Sequence, residues 1–315
     1  MSFQTTAEVL KLNRKDLDVV IRDVLEATPF LGVAAARSVA SDNFKYTKLI
    51  TAPSATFRAP NVGVDNTPSG YEEVSLALKY LDASFSIDTA VAKVDERGVD
   101  HAIGLEALAA LRAAMVTVEN NIFQGNSTNP ATTGGGIAGG FEGLPGIGSL
   151  NAIADSQVIS NGGVAANAQT SVYGITFGEN GFELLWGEGG ELTVSERMMV
   201  KETSSGALQF WAYAHEIAGY CGMKNGSIHS IHRLCNVDAT ATLDDDALAT
   251  LIANKPVGQA PFDVIVMNRQ SLRQLRESRT TYSPTGQPAP FPSATLDGIP
   301  IVVTDAILNT EAVVV

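Results

Sequence analysis

Apolar positions along the chain follow two periods. Residues 44–50 (FKYTKLI) alternate bulky and polar side chains, and Val74, Leu76, Leu78 and Tyr80 alternate again after a gap. That spacing is the signature of strands with one face turned inward, and the two runs predict the arms of a hairpin. Between them Pro53, Pro60, Gly63, Pro68 and Gly70 break any apolar period. A segment so long and so poor in buriable residues is expected to rest on a partner. Phe85, Ile87, Thr89 and Val91, with Ser86, Asp88 and Ala90 between them, predict a further strand that leads into a helix.

Helical spacing appears first near the N-terminus. Asn13 is a capping residue, Asp16 follows three positions on, and Leu17, Val20, Ile21, Val24 and Leu25 recur at helical intervals until Thr28-Pro29. A longer helix is predicted over 95–124, where proline is absent and Leu105, Leu108, Leu111, Met115, Val118 and Ile122 fall three or four apart. At 1.5 Å per residue it would span roughly 45 Å. Gly125-Asn126 ends it, and residues 128–148 form a stretch rich in Gly, Thr and Asn, pinned by Phe141, Leu144 and Ile147.

Short β segments then follow at 171–177, 182–186, 208–214 and 227–234. Thr242 is read as the cap of a helix whose first turn carries Asp244, Asp245 and Asp246, whose apolar face is Ala247, Leu248, Leu251 and Ile252, and which Asn254 and Pro256 close. A buried strand at 262–267 (FDVIVM), a helix over 270–279, a proline-rich connection at 284–292 and a strand at 299–303 complete the chain. The order strand, helix, strand predicts a small mixed sheet.

Composition narrows the class. Of 315 residues, 45% are hydrophobic and 17% charged, which excludes wholesale disorder. No stretch has the roughly 20 uninterrupted apolar residues expected of a membrane helix, so none is predicted. Residues 1–20 mix Gln4, Glu8, Lys11, Asn13 and Asp16 among their apolar positions, unlike a secretory signal, and predict folding in a cytoplasm. Cys221 and Cys235 are too few for a disulfide framework and are read as buried thiols. A net charge of −13 disfavours a tight grip on nucleic-acid phosphates.

Candidate chemistry is sparse. Gly134, Gly136 and Gly139 have the spacing of a dinucleotide loop, but a helix precedes them where a strand is required. His229, His232 and Cys235, with Cys221 upstream, have zinc-like spacing, yet on a strand positions three apart face opposite sides. His215-Glu216 begins a zinc-protease motif that fails at Gly219. The run Asp244 to Asp246 has a sufficient explanation in the helix dipole. Neither a GxxxxGK[ST] run nor a GxSxG elbow occurs. No catalytic residue, cofactor or metal is predicted.

Taken together, the hairpin with its Pro/Gly tip, the long helix, the segment VENNIFQGNST followed by GFEGLPGI, and the blocks SVYGITFGENGFELLWGEGGE, IHRLCNVDAT, IVMNRQSLRQLR and DGIPIVVTDAILNTEAVVV resemble one family. It is the major capsid protein of tailed phages, of the Hong Kong 97 type, and in particular its short-tailed-phage relatives. The resemblance covers nearly everything after residue 40, departing around Trp186 to Ser195, where a lysine-bearing turn is expected.

It implies an α+β, Hong Kong 97-like fold. Residues 1–40 would form an N-terminal arm, and 41–92 an extended E-loop hairpin with adjoining peripheral-domain strands. Residues 93–150 would be the spine helix and glycine-rich loop, and 151–315 a mixed α/β axial domain with return strands to the peripheral domain. The implied function is self-assembly into the icosahedral shell around the double-stranded DNA of a tailed bacteriophage, in the virion, after assembly in the host cytoplasm. The implied partners are copies of itself as hexamers and pentamers, a separate scaffolding protein, since the chain starts directly before its arm helix, and a portal. A decoration protein is left open, and DNA is enclosed without sequence-specific binding.

Phe44, Tyr46, Phe57 and Tyr71 are the candidate inter-subunit contacts, because aromatics enrich interface cores; the competing reading is packing within the chain. An encapsulin-like compartment shell is the alternative function. A small α/β enzyme, which would need a pocket lined by titratable groups, is a third.

Overall fold

The computed structural model describes residues 27–51, 53–96, 98–125, 139–187, 193–203, 209–278, 295–296 and 298–315. The helix predicted from Asn13, Gly134 and Gly136 of the glycine-rich stretch, and the connection 284–292 lie outside these residues. The strands of the first part are β1 (Ala36–Ser38), β2 (Asn43–Thr51), β3 (Gly70–Ala77), β4 (Lys79–Asp82) and β5 (Phe85–Asp88). Helices α1 (Thr89–Val94) and α2 (Val99–Gln124) follow. Next come β6 (Val158–Ser160), β7 (Thr170–Ile175), β8 (Phe182–Trp186), β9 (Thr193–Val194), β10 (Met198–Thr203), β11 (Gln209–His215), β12 (Ile217–Asn225) and β13 (Ile231–Val237). The C-terminal elements are α3 (Asp245–Ala253), β14 (Val264–Met267), α4 (Arg269–Ser278), β15 (Thr295–Leu296) and β16 (Ile299–Val303).

The predicted small mixed sheet is a six-stranded one, in the order β15-β16-β14-β7-β13-β6. β14 runs parallel to β16 and antiparallel to β7, which is antiparallel to β13, itself parallel to β6. Its central strands are buried on both faces, so they read as continuous apolar runs rather than alternations. One face packs Val172, Leu234, Ile265 and Met267 against Leu248 and Leu251 of α3 and Leu275 of α4. The other sets Tyr173, Ile175, Ile231, Val264 and Val266 in the same core as Met115, Val118 and Ile122 of α2 and the turn residues Phe30 and Leu31. Each such buried aliphatic side chain contributes about 1.5–3 kcal/mol.

α2 divides at its middle. Its C-terminal half carries the buried Ala114, Met115, Val118, Ile122 and Phe123, whereas much of its N-terminal half lies open. By length and composition the helix could cross a membrane, with a stretch of mean hydropathy 1.4, of which 17% is buried. Glu106 and Arg112 interrupt that stretch, and the last turns of α2 are a strut of the protein core. Buried Glu119 is held there by the Leu31 amide at 3.3 Å and by the Thr304 hydroxyl, joining α2 to the first turn and to the segment after β16. Burial raises its carboxyl pKa.

The remaining strands form three further sheets. β1-β8-β12-β4 lie side by side, with β9 also on β12, so residues 36–38 and 79–82 share a sheet with 182–186 and 217–225. β10-β11-β5 form a three-stranded sheet, and β2-β3 the predicted hairpin.

Several boundaries correct the sequence reading. The long helix starts at Val99 rather than Asp95, because Gly98 sits at φ 96° and breaks the chain from α1. The alternation through Thr89 and Val91 stops being a strand at Asp88, whose carboxylate accepts from the Ala90 amide at 2.8 Å and starts α1. Asp244, not Thr242, caps α3, accepting from the Ala247 amide at 2.8 Å. The strand read over 227–234 begins at Ile231, after a single turn capped by Ser227. β10 and β12 were not anticipated. Eight of the nine β12 residues are buried, which erases alternation, and at Gly222 a Cβ would meet Leu78 Cδ2 at 2.5 Å.

Candidate assembly interface

The four aromatic candidates separate into two pairs. Phe44 and Tyr46 stand on the half-buried face of β2, with ring centroids 6.1 Å apart. Beneath them is Lys224 of β12, its ammonium 5.8 Å and 5.7 Å from the two ring centres, within cation–π range. Lys224 is buried and pairs with Glu183 at 3.2 Å while donating to the Glu179 carbonyl at 2.6 Å. The Tyr46 hydroxyl donates to the Asn225 carbonyl at 3.1 Å, and burial raises its pKa. Arg37 closes the far side of Phe44 at 5.6 Å. These contacts root the hairpin on its own body.

Phe57 and Tyr71 are the opposite case. Phe57, in the segment between the two arms, is 109% exposed, and Tyr71, early in β3, is 67% exposed. Val62 of the tip and Leu49 and Ile50 of β2 are exposed with them. At its base, just beyond the strands, the tip is closed by Ser54, whose amide donates to the Thr67 carbonyl at 3.1 Å and whose hydroxyl accepts from the Thr67 amide at 2.7 Å. The apolar side chains of the tip thus project from a closed loop, Phe57 with nothing among the described residues covering it.

A second projecting surface escaped the sequence reading. β10 and β11 expose Met198, Met199, Phe210 and Trp211, and α1 adds Val91 and Val94. Phe210 and Trp211 are consecutive and so face opposite sides of a strand. An aromatic pair out of alternation was the available signal that both faces would lie open. Arg197 ties this hairpin to α2, 3.0 Å from Asp100 and 5.3 Å from the Tyr213 ring centre, and Lys201 lies 5.1 Å from the centre of Trp211.

The candidate chemical groups are placed apart. His232 is buried against Phe262, at 5.4 Å between ring centres, while Cys235 packs with Val158 and Val314 on the other side of β13. Cys221 lies in another sheet, beside Trp186 in register, and both thiols are free and buried. Burial pushes the two thiols up to about 12 and about 11, respectively. Asp244, Asp245 and Asp246 lie at the start of α3, Asp244 as its cap. Among the described residues, no group of three or more His, Cys, Asp or Glu is placed to hold a metal ion. His215 stacks on Phe85 and its Nδ1 lies 3.2 Å from the Ser195 carbonyl.

One buried network locks the end of the chain to the sheet. Arg233 of β13 donates to Glu311 at 2.9 Å, to the Ser171 hydroxyl at 3.0 Å and to the Leu150 carbonyl at 2.9 Å. Its side chain is 3% exposed, so its charge depends on these partners.

Comparison with known proteins bears on this arrangement. The sequence profile of the major capsid protein GP7 family matches residues 41–315. A chain of the bacteriophage epsilon15 structure superposes with a TM-score of 0.64 at 19% identity, over 89% of this chain and 88% of that one. The bacteriophage JBD30 capsid superposes with a TM-score of 0.51 at 12% identity, over 97% and 95%. At these identities the likeness is one of fold. No curated protein matches the sequence.

Proposed function

The chain belongs to the major capsid protein GP7 family, and on that premise we propose that its first hairpin, residues 44–80, is an arm that lies over a neighbouring copy in the shell. It is a phage major capsid protein with a Hong Kong 97-like α+β fold, a structural component of the virion capsid that assembles with copies of itself. Membership over residues 41–315 favours this over an encapsulin-like compartment.

The observation that carries the arm is the division between its ends. Phe44 and Tyr46 hold the root, while Phe57 and Tyr71 are left in water. Aromatic side chains gain most when they fill a desolvated pocket, and a shell of repeated copies offers one at every contact. In this reading Phe57 and Tyr71 are the anchors across the contact, and Phe44 and Tyr46 position them. Extended arms also enlarge the area between copies without thickening the subunit.

Residues 1–40 then act as an arm, 41–92 as the hairpin with its adjoining strands, 93–150 as helix and glycine-rich loop, and 151–315 as the axial domain with its return strands. The copies are arranged as hexamers and pentamers, guided by a separate scaffolding protein and a portal, and assemble in the host cytoplasm. With 34 acidic against 21 basic residues, the subunit repels rather than grips the double-stranded DNA it encloses. Replacing residues 53–69 by a short Asn-Gly turn tests the arm. The expected outcome is a folded subunit that makes no particles in micrographs, and normal particles from that variant would refute it.

A further inference from the structure

The connection from α3 to β14, residues 254–263, leaves the body and returns to it at a single buried seam. At its outgoing end the Asn254 side chain donates to the Ser156 carbonyl at 2.8 Å and stands 3.4 Å from Nδ1 of His232. The ammonium of Lys255 donates to the Thr176 hydroxyl and lies 4.3 Å from the centre of the Phe262 ring. At the returning end the Pro261 carbonyl accepts from the same Thr176 hydroxyl at 3.2 Å, and the Phe262 ring meets His232 edge-on at 5.4 Å. The Asp263 carboxylate accepts from the Phe177 amide at 2.7 Å. Thr176 therefore clips both ends of a loop whose middle is exposed, with Val257 fully in solvent.

The seam is built for a neutral imidazole. His232 is 0% exposed, and its Nε2 and the Nδ1 of His229 are buried without hydrogen-bond partners among the described residues, the two rings 5.8 Å apart. An amide NH2 only donates, so Asn254 leaves Nδ1 of His232 as the acceptor and Nε2 as the protonated nitrogen. A second proton on this ring would find no acceptor among the described residues. The polar groups on the ring and along the seam around it are His229 from the turn before β13, Asn254 and Lys255 from the end of α3, Thr176 after β7, Ser156 before β6, and Asp263 before β14. Asp263 carries the one opposing charge among them, and it is already engaged by Phe177.

We infer that residues 254–263 form a proton-gated loop: when His232 takes up a proton the loop lifts off the seam, while the sheet beneath it stays folded. The sign follows from the two states. Burial, together with the charges of His229 and Lys255, pushes His232 down to about 4 in the closed seam. Burial likewise pushes Lys255 down to about 8, against the pull of Asp263. Once the loop lifts, the imidazole returns towards its ordinary value of about 6.5. The open state then binds the proton that the closed state refuses, so the contribution of His232 to closure is fully present above pH 6.5 and weakens by up to about tenfold per pH unit below it, until about pH 4.

Amide hydrogen exchange on the full chain tests this, read at Lys255, Gln259 and Asp263, whose amides donate to Ile252, Pro256 and Ile175. After correction for intrinsic rates, their opening should rise about 15-fold between pH 6.5 and pH 5.0, while amides of β7 and β13 hold steady. His232→Phe keeps a ring against Phe262 but accepts no proton, and should abolish that rise; His232→Gln serves the same purpose if the aromatic variant does not fold. An undiminished rise in either variant overturns the proposal. So does wild-type exchange in which loop and sheet amides accelerate together, a result that decides the matter even if neither variant folds.

Discussion

The six-stranded sheet and the first hairpin are written in the same kinds of residue, β-branched and aromatic, yet they end in opposite environments. β7, β13 and β14 are buried along their whole length between α2 on one side and α3 with α4 on the other. β2 and β3 are covered on one face at the root and nowhere at the tip. The difference lies in what each can reach: the sheet has helices returning to both faces, while the hairpin outruns its support after Tyr46. Apolar side chains beyond that point are left largely exposed in the isolated subunit, and the proposed contacts between copies rest on this.

The comparison breaks most visibly if the tip is removed, since loss of residues 53–69 is expected to end particle formation altogether with the subunit intact. On the buried side, Arg233→Met strips Glu311, Ser171 and the Leu150 carbonyl of their partner in one step. It should lower the unfolding free energy of the subunit by about 3–5 kcal/mol, measured by urea titration. Ala109→Pro, in the less buried half of α2, should cost at least about 3 kcal/mol through the helix backbone alone, and impair assembly if α2 acts as a strut.

The two ends of the hairpin should then respond differently to single substitutions. Tyr46→Phe removes the bond to the Asn225 carbonyl and is expected to destabilise the subunit by about 1 kcal/mol. Phe57→Ser should leave subunit stability within about 0.5 kcal/mol of the parent while reducing the yield of particles in sedimentation. A Phe57→Ser subunit that melts early would place that ring in the chain's own core and erase the distinction.

How far the sequence announced this depended on where each element's partners lie. The hairpin arms, β8 and β16 are legible because their pattern is local, and the end of α2 because Gly125 follows it. β12 was illegible for a physical reason: burial on both sides removes alternation, and its Gly219 and Gly222 read as loop, although Gly222 is there to admit Leu78. The start of α2 differs from the predicted one because α1 shares its helical spacing and a short connection ending at Gly98 separates them. Among the candidate contacts, the aromatic character of Phe44, Tyr46, Phe57 and Tyr71 was evident, but their division was not. It is decided by Lys224 and Asn225, remote in sequence, and no local pattern records them. Phe210 and Trp211 lie in the predicted segment 208–214, but strand alternation covers one face only, and the exposure of both comes from the projecting β10–β11 hairpin.

The account is tested most directly by hydroxyl-radical footprinting of Phe57 and Tyr71 on the free subunit and on assembled particles, with buried Tyr173 as the internal reference. Labelling of Phe57 and Tyr71 is predicted to fall on assembly towards the level of Tyr173, with Phe44 and Tyr46 little changed. Equal labelling of Phe57 and Tyr71 in the two states would contradict it.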